Sequence, residues 1–220
     1  MGINMNKLFS MDGKLYQALS IIADLVILNL LWLFCSIPIV TLGASTSAMY
    51  HCVSLMVKEE DTRLVKEFFH GFRTYWKNGT LFWGITITVF GVFLVDIHIL
   101  PLLFEGILLS VFTYIIFFIV LLFFSTFLYF GPVLVQFNLN FKQTIKNAFL
   151  LSISHLPITV VIATILIAPI VYCFNDLNIF INCLPFIIAI GGSAFTYLSC
   201  LLLKQPFAPH LPKETDTKKE

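Results

Sequence analysis

The chain has 220 residues, of which 59% are hydrophobic and only 11% are charged, and its formal net charge at pH 7 is +1. Soluble domains are usually about half apolar and a quarter charged, so this composition excludes an ordinary soluble protein. The small net charge likewise gives no indication of nucleic-acid binding.

Long apolar runs predict α-helices that cross a membrane. A helix needs about 20 apolar residues to cross the hydrocarbon core, and in lipid it satisfies its own backbone hydrogen bonds. A β-barrel would instead show short alternating segments, which are missing here. The fold class is therefore all-α, a polytopic transmembrane helix bundle, with five strong spans at about residues 18–40, 80–100, 107–130, 148–172 and 179–203.

A weaker stretch, residues 41–57, lies between the first two spans; it is uncharged but rich in Ser, Thr, Gly and Ala. Because Pro38 disturbs the first helix, we expect a hairpin that turns at Thr41–Gly43 and returns through 44–57 as a sixth span. Small residues recur there at fourfold spacing, at positions 44, 48 and 52, and such stripes allow helices to approach closely in lipid. An interfacial or re-entrant segment is the alternative.

Two segments of the chain echo each other in register. Phe72–Gly79 reads FRTYWKNG and Phe141–Ala148 reads FKQTIKNA, so both contain Phe, a basic residue, Lys-Asn and a small residue. Each copy leads into a predicted span, which makes 44–57 the counterpart of 107–130. Repeats are common in membrane proteins that build a pathway between two halves.

The positive charges predict the orientation of the chain. Lys and Arg favour the cytoplasmic side, and they are concentrated in the 58–79 loop, the 138–147 loop and the C-terminal tail. If 44–57 crosses the membrane, the N-terminus is cytoplasmic as well. We therefore expect a multi-pass protein of the cell membrane, with one transmembrane domain at 1–204 and a disordered cytoplasmic tail at 205–220.

The 58–79 loop is predicted to contain a cytoplasmic amphipathic elbow helix. At 100° per residue its aromatic side chains share one face and its charged side chains the other. Such a helix lies in the headgroup plane, or its aromatic face fills a groove on a cytoplasmic partner, and periodicity fits both. The candidate residues of this face are Phe68, Phe69, Phe72 and Trp76.

Three polar residues inside predicted spans form a candidate patch. Ionisable groups in lipid are costly, and those that lie deep are functional by default. Asp24 and Asn29 lie in the first span and His51 in the weaker one, so together they predict a proton- or solute-binding site. The alternative is hydrogen bonding that merely holds the hairpin together.

Catalytic and metal-binding signatures are missing from the sequence. It contains no HExxH, GxSxG or Walker motif, and its five cysteines show no CxxC pair. We therefore expect neither an enzyme nor a bound metal or cofactor.

The run Leu28–Tyr50, LNLLWLFCSIPIVTLGASTSAMY, resembles the YesL-like family of bacterial membrane proteins, a domain of unknown function. The likeness continues through Phe68–Asn78 and Phe141–Pro157. Members are often encoded beside carbohydrate-uptake transporters, which implies a role in sugar import and a transporter subunit as partner. The leading hypothesis is an accessory or regulatory component associated with carbohydrate uptake. The alternative is a small, oligomeric transporter or channel that uses the polar patch.

Overall fold

The computed structural model describes residues 14–58, 63–137, 139–175 and 177–207, and the regular structure within these ranges is helical throughout. Six segments in these ranges are long and apolar enough to cross a membrane. The predicted all-α transmembrane bundle is therefore confirmed. The α-helices are α1 (Lys14–Ser36), α2 (Leu42–Val57), α3 (Leu64–Leu103), α4 (Gly106–Phe137), α5 (Phe141–Ser154), α6 (Leu156–Asn175), α7 (Leu177–Phe186) and α8 (Gly192–Phe207).

The turn between α1 and α2 lies a few residues earlier than predicted. α1 ends at Ser36 rather than near residue 40, and a 3-10 turn at Ile39–Thr41 leads directly into α2. Pro38 lacks a backbone N–H and therefore cannot continue the helix. The hydroxyl of Thr41 donates to the carbonyl oxygens of Cys35 and Pro38, and the bond to Cys35 satisfies a backbone acceptor at the end of α1.

Helix α2, the weakest predicted span, occupies the centre of the bundle. It packs against α1, α3, α4 and α8. Ala48 and Cys52 are fully buried in a cluster with Leu28 of α1 and Phe68 of α3. A helix that faces protein instead of lipid does not need large apolar side chains, and small ones allow its neighbours to approach.

The backbones of α2 and α3 approach each other closely at Gly43 and Gly79. A Cβ built on Gly79 would lie 2.6 Å from the carbonyl oxygen of Gly43 and 3.0 Å from the Cα of Ala44. A Cβ built on Gly43 would collide with the carbonyl of Gly79 in turn. Only glycine fits at either position without moving one of the helices.

The amphipathic segment predicted as a separate elbow is the first half of α3. The segment between Leu64 and Gly79 contains no proline, so every residue keeps its backbone N–H, and the helix continues without a break to Leu103. Its 40 residues span about 60 Å at 1.5 Å per residue, twice the hydrocarbon thickness of about 30 Å. The half that carries the charges therefore extends beyond the hydrocarbon.

The C-terminal half of α3 and the N-terminal half of α4 form an apolar hairpin that extends away from the other helices. The two helices contact each other where Phe82 of α3 stacks on Phe130 of α4, with ring centroids 3.6 Å apart. Beyond it, most side chains of both helices are exposed, and the hairpin turns at Gly106 with a φ of +60°. Exposed apolar side chains on such long helices face lipid.

The predicted span at 148–172 is two helices. α5 begins at Phe141, and the chain breaks at His155 before α6, because Pro157 disfavours helical geometry in the residues that precede it. Tyr129 of α4 accepts a hydrogen bond from Thr159 of α6 at 3.0 Å. This contact lies beside a second core cluster that contains Val133, Ala148 and Leu203.

Two basic residues, Lys58 and Lys204, meet at one end of the bundle. The ends of α2, α4 and α8 line a common pocket that includes Lys58, Gln136 and Lys204. The ammonium of Lys204 donates to the carbonyl of Val57 at 3.5 Å. Most of the predicted disordered tail, and Lys7 near the N-terminus, lie outside the described residues.

The glycine contact gives a first prediction. Replacing Gly79 with alanine places a methyl group against the backbone of α2, so we expect the free energy of unfolding to fall by about 1–3 kcal/mol. Gly84→Ala in the same helix is the matched control, since a Cβ there meets nothing within 4 Å. Thermal melting of both variants in mild detergent measures the difference, and equal melting temperatures would contradict the packing.

Candidate functional site

A cavity of about 500 Å³ lies within the bundle and is the candidate site. Its volume falls within the range of small-molecule sites, about 300–1,000 Å³. Leu42, Gly43 and Thr46 contribute to its wall from α2, so the start of this central helix forms one side. The opposite sides come from α3, α4, α6 and α8.

The wall of the cavity is uncharged and its polar side chains bond mainly to the protein itself. The indole N–H of Trp32 donates to Thr46 at 3.1 Å, and Thr46 donates to the carbonyl of Leu42. Ser47 and Thr196 each donate to a backbone carbonyl one turn earlier in their own helices. The indole N–H of Trp83 is the exception, because it is buried without a partner among the described residues.

Glycine allows an aromatic side chain to pack tightly within this wall. A Cβ built on Gly131 of α4 would lie 2.5 Å from Cδ2 of Tyr50, which is buried and reaches across from α2. An empty space of about 500 Å³ would leave its lining atoms without van der Waals partners, so we expect apolar atoms to fill it in the membrane.

Asn29, one of the predicted patch residues, is built into a break in the last membrane helix. Between α7 and α8 the chain forms a π-helical segment, Ile187–Gly191. The side-chain amide of Asn29 donates to the carbonyl of Ile188 at 2.7 Å and accepts from the backbone N–H of Ser193 at 3.0 Å. The amide thus occupies the place of one backbone hydrogen bond and joins α1 to this helix.

The hydroxyl of Ser193 strengthens the same contact. It donates to the carbonyl of Leu25 in α1 at 2.7 Å, and both Asn29 and Ser193 are completely buried. Lipid offers no water to satisfy the backbone groups that a π-helical break exposes. Asn29 is therefore a structural residue whose hydrogen-bonding capacity is used within the fold.

The other two predicted patch residues, Asp24 and His51, do not take part in this contact. His51 of α2 faces α3, where its Nε2 is 3.4 Å from the carboxylate of Glu67 and its ring lies 6.0 Å from that of His70. Asp24 is partly exposed on α1 and has no hydrogen-bond partner among the residues that the structure describes. Asn29 and His51 thus bond to different helices, Asp24 bonds to neither of them, and no hydrogen bond among the described residues joins the three predicted residues.

The predicted aromatic face is divided between the core and the surface. Phe68 is fully buried, and Phe72 is partly covered where it packs beside the same cluster. Phe69 and Trp76 remain 45% and 39% exposed. The rings of Phe72 and Trp76 lie 5.2 Å apart and line a surface groove together with Arg73 and Lys77.

The sequence did not indicate the cavity or the π-helical break. Gly191 and Gly192, with Pro185 in the helix before them, were the available signal, because glycine and proline mark irregular positions in membrane helices. Among the described residues, no group of three or more His, Cys, Asp or Glu side chains is placed to hold a metal ion.

Fold and site define a multi-pass helical membrane protein with an apolar internal cavity. Residues 25–97 match the model of a family described as a protein of unknown function, DUF624. The match covers less than half of the chain but includes Asn29, all of α2 and the Gly43–Gly79 contact. No curated protein and no solved structure matches the chain.

The role of Asn29 gives a second prediction. Asn29→Leu leaves the carbonyl of Ile188 and the N–H of Ser193 unpaired, so we expect a loss of about 1–3 kcal/mol in the free energy of unfolding. Hydrogen exchange of the 185–200 segment, followed by mass spectrometry, should become faster. Asp24→Asn is the control, since Asp24 has no such partners, and unchanged exchange in Asn29→Leu would argue against a structural role.

Proposed function

We propose that the chain is an accessory or regulatory component of a bacterial cell membrane, associated with carbohydrate uptake, and that it is neither an enzyme nor the route of the sugar. The strongest support is the chemistry of the cavity. Its wall has no charged side chain, and most of the hydrogen-bond donors in the wall bond to other groups of the protein. A sugar that leaves water needs side chains that replace the hydrogen bonds of its hydroxyl groups. The wall of the cavity offers few free hydrogen-bonding groups to such a molecule.

The orientation of the bundle belongs to the same proposal. Lys58 and Lys204 lie together at one end, and Lys142 and Lys146 follow the end of α4, so the positive-inside rule favours the cytoplasm for this end. Six crossings then leave both termini in the cytoplasm. The charged half of α3 lies on that side as well.

The surface that we assign to partner binding is the exposed stripe of α3, formed by Phe69, Phe72, Arg73, Trp76 and Lys77. Phe69, Phe72 and Trp76 are three, four or seven residues apart and therefore share one side of the helix. Aromatic residues and arginine dominate the binding energy of many protein interfaces. The resemblance to the YesL-like family supports a carbohydrate-transporter subunit as the partner.

The rival function, an autonomous oligomeric transporter or channel, has less support. It requires Asp24, Asn29 and His51 to act together, whereas the amide of Asn29 is occupied by the π-helical break. It remains the alternative outcome of the experiment on partners. Flux of sugar into vesicles that contain only this protein, reduced by Asp24→Asn, would favour it.

The exposed stripe gives a third prediction. Replacing both Phe69 and Trp76 with serine should reduce recovery of transporter subunits about tenfold or more after mild-detergent purification at native expression, because it removes two aromatic contacts. Phe68 is left unchanged because it is fully buried.

The control changes Phe90 and Leu94 to serine, since both are exposed on the apolar half of the same helix. This control should retain the companions. Equal recovery from both double variants would exclude the stripe as the docking surface, and recovery of the parental protein without transporter subunits would reject the accessory function.

A further inference from the structure

The wall of the cavity suits a hydrocarbon chain better than any polar ligand. No lining residue is Asp, Glu, Lys, Arg or His, and the hydroxyls of Thr46, Ser47 and Thr196 already donate to backbone carbonyls. Aromatic rings of Phe82, Phe127 and Phe130 form much of the remaining surface. Dispersion contacts and apolar burial are therefore the main interactions that this wall offers.

The cavity opens toward lipid. Among its lining side chains, Ile170 of α6 is 49% exposed and Ile187 is 44% exposed, and Pro169 beside Ile170 is exposed as well. These residues belong to segments that are long and apolar enough to span a membrane, where exposed apolar side chains face acyl chains. An occupant therefore enters sideways from the hydrocarbon rather than from water.

The break in the last membrane helix lies at this opening. Gly191 is the last residue of the π-helical segment and Gly192 follows it; both line the cavity, so the wall there consists of backbone without side chains. π-Helical turns occur frequently at functional sites, although they are less favourable than a regular α-helix. Here the amide of Asn29 stabilises the break, and the break leaves room beside Trp32.

We propose that the cavity holds one acyl chain of a membrane phospholipid, which enters between α6 and the π-helical segment while its headgroup stays outside the wall. This site is separate from the exposed stripe of α3 and goes beyond the function proposed above. Trp32 and Trp83 line the cavity, whereas Trp76 lies on the surface, so tryptophan fluorescence reports on the occupant.

The test uses the full chain with Trp76→Phe, purified in mild detergent, so that Trp32 and Trp83 are its only tryptophans. A phosphatidylcholine with one brominated acyl chain is titrated in, because bromine quenches tryptophan on contact. We expect saturable quenching that an unbrominated phosphatidylcholine reverses. Linear quenching that competitor does not reverse would overturn the proposal, and this measurement needs no change in the wall.

A filled cavity provides the matched comparison. Ile165→Phe with Leu166→Phe adds two rings to the lining of α6, and we expect the half-saturating lipid fraction to rise about tenfold or more. Ile167→Phe is the control, since Ile167 is on the same helix, 43% exposed and outside the lining. A brominated free fatty acid is titrated in parallel. Saturable quenching by the acid alone, or equal quenching in the filled and control variants, would reject a phospholipid chain as the occupant.

Discussion

The close approach of α2 to α3 is the contact on which the rest of the bundle depends. Lipid gives no hydrophobic drive for two apolar helices to associate, so their packing relies on van der Waals contact and hydrogen bonds. Gly43 and Gly79 let the two backbones touch, and α2 then presents its remaining faces to α1, α4 and α8. The cavity forms next to this contact, because Gly43 and Gly79 belong to its wall as well.

The sequence predicted the spans well because lipid-facing helices must be apolar along their whole length. The same reasoning explains why residues 41–57 were the least apolar of the predicted spans. Half of the most apolar window in this segment is buried, compared with none of the window in α4, so protein replaces lipid as its surroundings. Boundaries were predicted less well: the elbow within 58–79 and the span at 80–100 were predicted as separate elements, but they form the continuous α3. At their junction, Gly79 permits close packing against α2.

The candidate site was accessible to sequence reasoning only in part. That Asn29 matters follows from its cost in lipid, but its partners are the backbone of Ile188 and Ser193, about 160 positions away along the chain. Periodicity likewise grouped Phe68 with Trp76, although one is in the core and the other on the surface. A pattern along one helix identifies a shared face, whereas the arrangement of the other helices determines which part of that face is covered.

The two proposed sites, the cavity and the exposed stripe of α3, differ in the polar groups that they offer. Asn29, Thr46 and Ser193 form hydrogen bonds within the protein, and this uses most of the polar groups that a sugar would need. The rest of the cavity wall is mainly apolar, whereas Phe69, Arg73, Trp76 and Lys77 are exposed on the outer side of α3. Helix α3 is common to both, since Phe82 and Trp83 line the cavity less than two turns beyond Trp76 and Lys77. Gly79, where α2 packs against α3, lies between the exposed stripe and Phe82 on this single continuous helix.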